Sequence, residues 1–438
     1  MASLRADVPA SPGTRAPGGP RPFETWLRHL DRGGVRYCVL RDADRLDALA
    51  AGGELDVLIH EADTEHMEAA AIASGFVRLP AWGRAPHRFY VHYDAASDAW
   101  FKCDVVTGVA FGRPAHALTT DLGDACLAAR RRDGGVWVPC AEDELVTLLL
   151  HAILDTGAFQ SHRRDRVVLL RRRITVDDRI AGHLRRYWPG MTWPRLAALV
   201  DAADWTAMLA ERDRLSRHVC NDGRWRLLGR RSRDRALRTA HRLVRLVRPD
   251  VPSVALLAPD GAGKSTLISG VRARLFAPAY SAHMGMHQGR VKADRSAVPG
   301  LGLVRLLLVQ WRRYLLARWH QAGGQIVLFD RYSYDALLPP AAPLTRLSRV
   351  RRWVLARSCP RPDLTVVLDA PGEALFARKG EHSAATLERQ RQSYLQMRDR
   401  IGFSVVVDAR PGPDAIRRHV TSLVWDALRA RLGDPARG

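Results

Sequence analysis

The chain has 438 residues, 47% of them hydrophobic, which is room for two or three globular domains. Six cysteines at 38, 103, 126, 140, 220 and 359 include no C-x-x-C pair, which argues against a zinc site or disulfide framework and for a reducing cytoplasm. The net charge of +22 raises a nucleic-acid or anionic-membrane surface, yet acidic and basic residues are mixed through most of the sequence without a DNA- or RNA-binding motif, so no specific nucleic-acid partner is expected.

The opening "MASLRADVPASPGTRAPGGP" has no apolar core, so residues 1–22 read as a disordered tail and not as a signal peptide. From 23 to about 150, short strands and helices alternate as in an α+β domain, with "RYCVL", "ELDVLI", "RFYVHY" and "AWFKCDVV" as strands. Glu54 and Asp56 stand two apart on one strand, so both carboxylates project from one face, and Asp104 lies on a later strand. Three carboxylates from neighbouring strands can hold metal ions for phosphoryl chemistry. The other reading leaves Glu54 solvated and Asp104 as a turn or ion-pair residue. His151, on an apolar helix face, is expected to be a core histidine with a satisfied ring.

Residues 23–220, through "YCVLRDADRLDALAAGGELDVLI" and "EDELVTLLLHAILD", resemble nucleotidyltransferases of the DNA polymerase beta type, with their D-x-D plus distal D arrangement. The resemblance implies that Glu54, Asp56 and Asp104 form a candidate two-metal site. Two features depart from it: the first carboxylate is a glutamate, and "LRD" at 40–42 stands where that superfamily has a Gly-Ser turn.

Between 151 and 249 the pattern turns helical and arginine-rich, as in a connector or subdomain. Its densest part, 224–249, carries ten arginines around Leu237, His241, Val244 and Leu246 or Val247. That segment reads as a solvated helix leading into the next domain, or as a weak membrane-surface contact. "RPDVP" at 248–252 then marks a boundary with two prolines.

Beyond it, "SVALLA", "IVLFD", "LTVVLD" and "FSVVVDA" alternate with helical segments, the signature of a parallel sheet covered by helices. "LGLVRLLLVQWRRYLLARW" is interrupted by Arg305, Arg312 and Arg313 and is too charged to span a bilayer. After the first strand comes "APDGAGKST" at 258–266, which fits the phosphate-binding loop G-x-x-x-x-G-K-[ST] except that Ala258 replaces its first glycine. Asp260, Gly261, Ala262, Gly263, Lys264, Ser265 and Thr266 are therefore the candidate nucleotide-binding residues. A tight turn aims successive backbone N–H groups at one anion, Lys264 adds a mobile charge, and Ser265 offers a hydroxyl to magnesium. Only four of the 68 basic residues are lysine, at 102, 264, 292 and 379, so a lysine marks a place where a compact ammonium suits better than a guanidinium.

"APDGAGKST", "GQIVLFDRYSYDALL", "RPDLTVVLDAPGEALFARKGE" and "FSVVVDARPGPDAIRRHV" follow in this order the pattern of the thymidylate kinase family of P-loop kinases, over residues 250–438. The resemblance implies ATP and Mg2+ as cofactors and phosphoryl transfer to a nucleoside monophosphate or related phosphorylated small molecule. Carried over, Asp330 helps hold the metal, Arg331 grips the acceptor phosphate, and Arg378 with Lys379 closes over the transferring group. The acceptor regions depart, with "AHMGMHQGRV" and "LLLVQWRRYLL" where that family binds thymidine monophosphate; Arg290, Arg312 and Arg313 are the replacements on offer. The fold class expected is α/β: a C-terminal P-loop kinase with a parallel sheet flanked by helices, an N-terminal α+β nucleotidyltransferase-like domain, and a helical connector. Nucleotidyl transfer by the N-terminal domain and a non-catalytic ATP-binding module are the competing functions.

Overall fold

The computed structural model describes residues 21–41, 43, 46, 49, 52–79, 87–112, 118–175, 178–219, 224–259, 261–285, 301–339, 345–379, 382–401 and 404–433. The expected tail therefore lies almost wholly outside the described residues, as do Asp260, Arg290 and the side chain of Lys379. The chain forms two compact units, divided between Arg238 and Thr239.

In the first unit, β1 (Tyr37–Val39), β2 (Gly53–Ile59), β3 (Val77–Arg78), β4 (His87–Asp94) and β5 (Ala99–Val106) form a sheet in the order β1-β2-β5-β4-β3. Strands β2 and β5 run parallel and the other pairs antiparallel. Alternation along β2 sends Leu55, Val57 and Ile59 to one face, where Phe101, Cys103 and Val105 of β5 join them. Helices α1 (Pro22–Arg32) and α2 (Thr64–Ala73) cover that face with Trp26, Leu30 and Met67. The opposite register, Glu54, Asp56 and Leu58 with Asp104 and Val106, faces the other way.

That second face is covered by helices. Two short hairpins, β6 (Ala110–Phe111) with β7 (Leu118–Thr119) and β8 (Arg131–Asp133) with β9 (Val136–Val138), accompany α3 (Leu122–Ala128) and α4 (Ala141–His151). Then follow α5 (Ser161–Arg173), α6 (Asp178–Tyr187), α7 (Trp193–Asp201), α8 (Trp205–Ala210) and α9 (Arg212–Val219). Cys38, Leu58 and Val106 of the sheet share one core with Leu149, Leu170, Leu184, Leu196 and Leu215. The helices after residue 150 are thus packed into the same core as the sheet. Asp143 ties α4 to α6: it is fully buried, accepting from Arg179 at 2.6 and 2.8 Å and pairing with His183 at 2.7 Å, both on α6.

Helix α10 (Arg224–Val247) ends before the Pro249 and Pro252 expected to stop it, and crosses the division between the units. In the second unit β10 (Ser253–Leu257), β11 (Ala279–His283), β12 (Ile326–Asp330), β13 (Leu364–Asp369) and β14 (Ser404–Asp408) form a wholly parallel sheet in the order β11-β12-β10-β13-β14. Parallel pairing demands crossovers, supplied by α11 (Lys264–Arg274), α12 (Leu301–Ala322), α13 (Arg346–Ala356), α14 (Gly372–Lys379) and α15 (Ala384–Ile401), before α16 (Pro413–Leu432) closes the chain. Because both faces are covered, the strands are continuous apolar runs: Val254 to Leu257 and Ile326 to Phe329 are all buried. The chain moves from β10 to one side of the sheet for β11 and β12, then to the other for β13 and β14. Ligands of such sheets bind beyond the strands' carboxyl ends where the order reverses, and the glycine-rich loop leaves β10 there. Among the described residues, no helix is long and apolar enough to cross a membrane.

Candidate functional site

The loop between β10 and α11 turns through Gly261 at φ 82° and Gly263 at φ 79°, a region costly to residues with a Cβ. Gly263 is the N-cap of α11, so Lys264 begins the helix and the exposed Ser265 and Thr266 sit in its first turn. Ala258, in place of the motif's first glycine, is fully buried beneath the loop. The Lys264 ammonium is folded back across the loop, donating to the carbonyl oxygens of Ala258 at 2.9 Å and Pro259 at 2.7 Å. The first-turn amides of a helix, with its positive end, are groups that can hold a phosphate.

Beside this loop, Asp330 ends β12, in register with Leu256 of β10 and His283 of β11. His283 approaches to 3.5 Å, the far limit of a hydrogen bond, and together with the charges of Lys264 and Arg331 holds the Asp330 carboxyl below its usual range against the opposing effect of burial. Asp330 Oδ1 and His283 Nε2 are buried without a hydrogen-bond partner. Such orphaned polar atoms are costly unless something completes them, and here they lie beside the glycine-rich loop. An ionised carboxylate and an exposed serine hydroxyl are hard oxygen ligands of the kind that suit magnesium.

Arg331 follows with φ 63°, left-handed and unusual for a non-glycine residue, and its amide donates to the Leu256 carbonyl at 3.0 Å. The side chain is buried: Nη1 donates to the Tyr394 hydroxyl at 2.9 Å and to Asp335 Oδ2 at 3.3 Å, and Tyr394 in turn donates to Asp335 Oδ1 at 3.2 Å. Gly285 makes room for this packing, since a Cβ there would come within 2.5 Å of Arg331 Cδ and 2.8 Å of His283 Nε2. Arg378 is exposed on α14 and donates to the Ala409 carbonyl just past β14 at 2.7 Å, so it sits at the same end of the sheet, on the flank away from β12. Arg391 of α15, which sequence reasoning passed over, grips Asp369 at the end of β13 at 2.5 and 3.1 Å. Nothing local in the sequence signals Tyr394, His283 or Arg391, whose partners lie far away in the chain.

In the first unit a cavity of about 520 Å3 opens between the sheet and its helical cover, lined by Glu54, Asp56, Asp104, Arg41, His87, His151 and Arg163 among others. One oxygen from each of Glu54, Asp56 and Asp104 lies within 4.8 Å of the others. Each is met by a basic side chain: Lys102 at 2.8 Å from Glu54, Arg41 at 2.9 Å from Asp56, and His87 at 2.9 Å from Asp104. Burial alone would lower the His87 pKa; the hydrogen bond and charge of Asp104 outweigh it and raise it. His151, expected as a satisfied core residue, is hydrogen-bonded to Asp155 at 2.9 Å and lines this cavity, with burial holding it below its ordinary pKa. Asp155 is fixed in turn by the Gly112 amide at 2.6 Å, within a π-helical turn over Ala152–Thr156. Arg41 belongs to the "LRD" segment; Asp42 of that segment lies outside the described residues.

No protein-family model matches this chain, and no curated protein matches it.

Proposed function

We propose that the second unit is an ATP- and magnesium-dependent phosphotransferase of the thymidylate kinase type, acting on a nucleoside monophosphate or a related phosphorylated acceptor. The observation that carries this reading is the loop itself: a left-handed Gly261 and Gly263 leading from β10 into α11, with the Lys264 ammonium held across it. The loop amides and the α11 N-terminus hold the donor phosphates, and Lys264 moves from its backbone carbonyls to phosphate oxygens. Ser265 and Asp330 hold the metal, which when bound neutralises charge on the phosphate oxygens. Arg331, braced by Asp335 and Tyr394, keeps a fixed positive charge at the end of β12 for the acceptor side. Arg378 serves as the lid cation once it leaves the Ala409 carbonyl. These groups position and neutralise, which is most of what phosphoryl transfer requires. Formation of ADP by the wild-type chain, stimulated by a nucleoside monophosphate, tests the reading.

A second activity, nucleotidyl transfer in the first unit, is favoured by the convergence of Glu54, Asp56 and Asp104 in one cavity. Three carboxylates suit magnesium or manganese, and Arg41 and Arg163 offer charge for a triphosphate. Asp56→Asn removes the middle carboxylate's charge while keeping its shape. It is expected to weaken Mn2+ binding, followed by electron paramagnetic resonance, by about tenfold or more, and to end any pyrophosphate release from MnATP. Unchanged Mn2+ affinity in that variant would assign the cluster to ion pairing alone.

A further inference from the structure

On α12, Val304, Leu308, Trp311, Leu315 and Trp319 recur at spacings of three and four, which stacks them in one stripe along the helix. All five are exposed, Leu308 by 65% and Trp319 by 47%, whereas Gln310, Ala317 and Gln321 on the other side are buried. The helix therefore already has a packed face, and the stripe points away from it. Exposed Val309 and Leu316 widen the stripe, and Arg305 and Arg312 are exposed along it. At its C-terminal end the Arg242 guanidinium lies 3.7 Å from the centre of the Trp319 ring. Not one aspartate or glutamate occurs in α12, nor in α13, whose Leu347, Val350 and Trp353 are also exposed. Soluble monomers rarely expose apolar surface on this scale without a use for it.

We propose that this face of α12 docks the protein on an anionic lipid bilayer. The helix lies flat, its tryptophans and leucines at the headgroup boundary and its arginines against lipid phosphates. Large apolar side chains, tryptophan and arginine without carboxylates are the composition of an interfacial helix, and the same arginines stop it from spanning. A second copy of the chain is the poorer occupant. Two-fold pairing of this face would gather Arg305 and Arg312 of both copies into one interface, between helices with no carboxylate to compensate.

The test is cosedimentation of the full chain with vesicles of phosphatidylcholine alone and of an equal mixture with phosphatidylglycerol, alongside size-exclusion chromatography with light scattering. Binding to the mixed vesicles is expected, with little to phosphatidylcholine alone. Replacing Leu308 and Leu315 together by glutamate should weaken it by roughly a hundredfold, and Arg305→Gln with Arg312→Gln should weaken it and flatten its salt dependence. All four positions are exposed, and circular dichroism checks that each variant stays folded. Absence of binding to the mixed vesicles overturns the proposal, as does binding unchanged in the glutamate variant. A wild-type dimer that the same variant makes monomeric, without vesicle binding, assigns the face to self-association instead.

Discussion

Replacing Lys264 by alanine is expected to lower ATP-dependent ADP formation by about a hundred- to a thousandfold or more, the range for removing one preorganised charge from a transition state. The ammonium stands nearly buried across its loop, held by two backbone carbonyls that phosphate oxygens would replace. The effect on stability is expected to be moderate, about 1–3 kcal/mol, because the two charge-assisted hydrogen bonds lost are partly offset by removing a buried charge. Lys264→Arg should fail almost as completely: a planar guanidinium cannot replace a compact ammonium within the loop. A coupled assay for ADP, run beside thermal unfolding of the same preparations, separates lost chemistry from lost fold. Undiminished ADP formation by a folded alanine variant would remove the phosphate-binding role from this loop.

The largest stability effect is expected at Asp143→Ala, about 3–5 kcal/mol, the range for breaking a buried ion pair by removing one partner. Arg179 would keep its positive charge, and His183 would lose its hydrogen-bond partner, in a site built around a carboxylate that is fully shielded from water. Since whole domains are stable by about 5–15 kcal/mol, the loss should shift the urea midpoint of the first unit markedly. Burial alone would raise the Asp143 pKa, but hydrogen bonds from His183 and Arg179, with their charges, outweigh it and hold the carboxyl below its ordinary value. A folded-state value depressed below the unfolded one means that this stabilisation is present above about pH 4. It is lost as the pH falls through the folded value. Wild type and variant should therefore differ fully at neutral pH and converge in acid. A midpoint change equivalent to less than about 1 kcal/mol at neutral pH would mean the network contributes little.

Much of the second unit was legible because a parallel sheet covered on both faces needs unbroken apolar runs. "IVLFD" and "LTVVLD" coincide with β12 and β13 residue for residue. Strand β11 was not, since at the sheet edge "AYSAH" is half-buried throughout and carries no apolar signal. In the first unit, period-two alternation placed Glu54 and Asp56 on one face, and the register that sets Asp56 opposite Asp104 completes the cluster. The change to a helical pattern near residue 150 looked like the start of a connector. Pattern alone could not reveal that Leu170, Leu184 and Leu215 pack into the same core as Leu58 and Val106. At the glycine-rich loop the motif is local and was read directly. The brace of Arg331 by Asp335 and Tyr394 was hidden because one partner is 63 residues away. Basic partners were hidden likewise: that Arg41, Lys102 and His87 meet the three carboxylates follows from tertiary register.

The most direct test of the phosphotransferase account incubates the wild-type chain with MgATP and a panel of nucleoside monophosphates and other phosphorylated small molecules, scoring ADP and pyrophosphate in parallel. The account predicts ADP formed in step with consumption of one acceptor, and independent of the first-unit carboxylates, so that Asp56→Asn leaves it unchanged. ATP binding with neither ADP nor pyrophosphate from any acceptor would make the second unit a nucleotide-gated binding module and contradict the account; pyrophosphate without ADP would move the chemistry to the first unit.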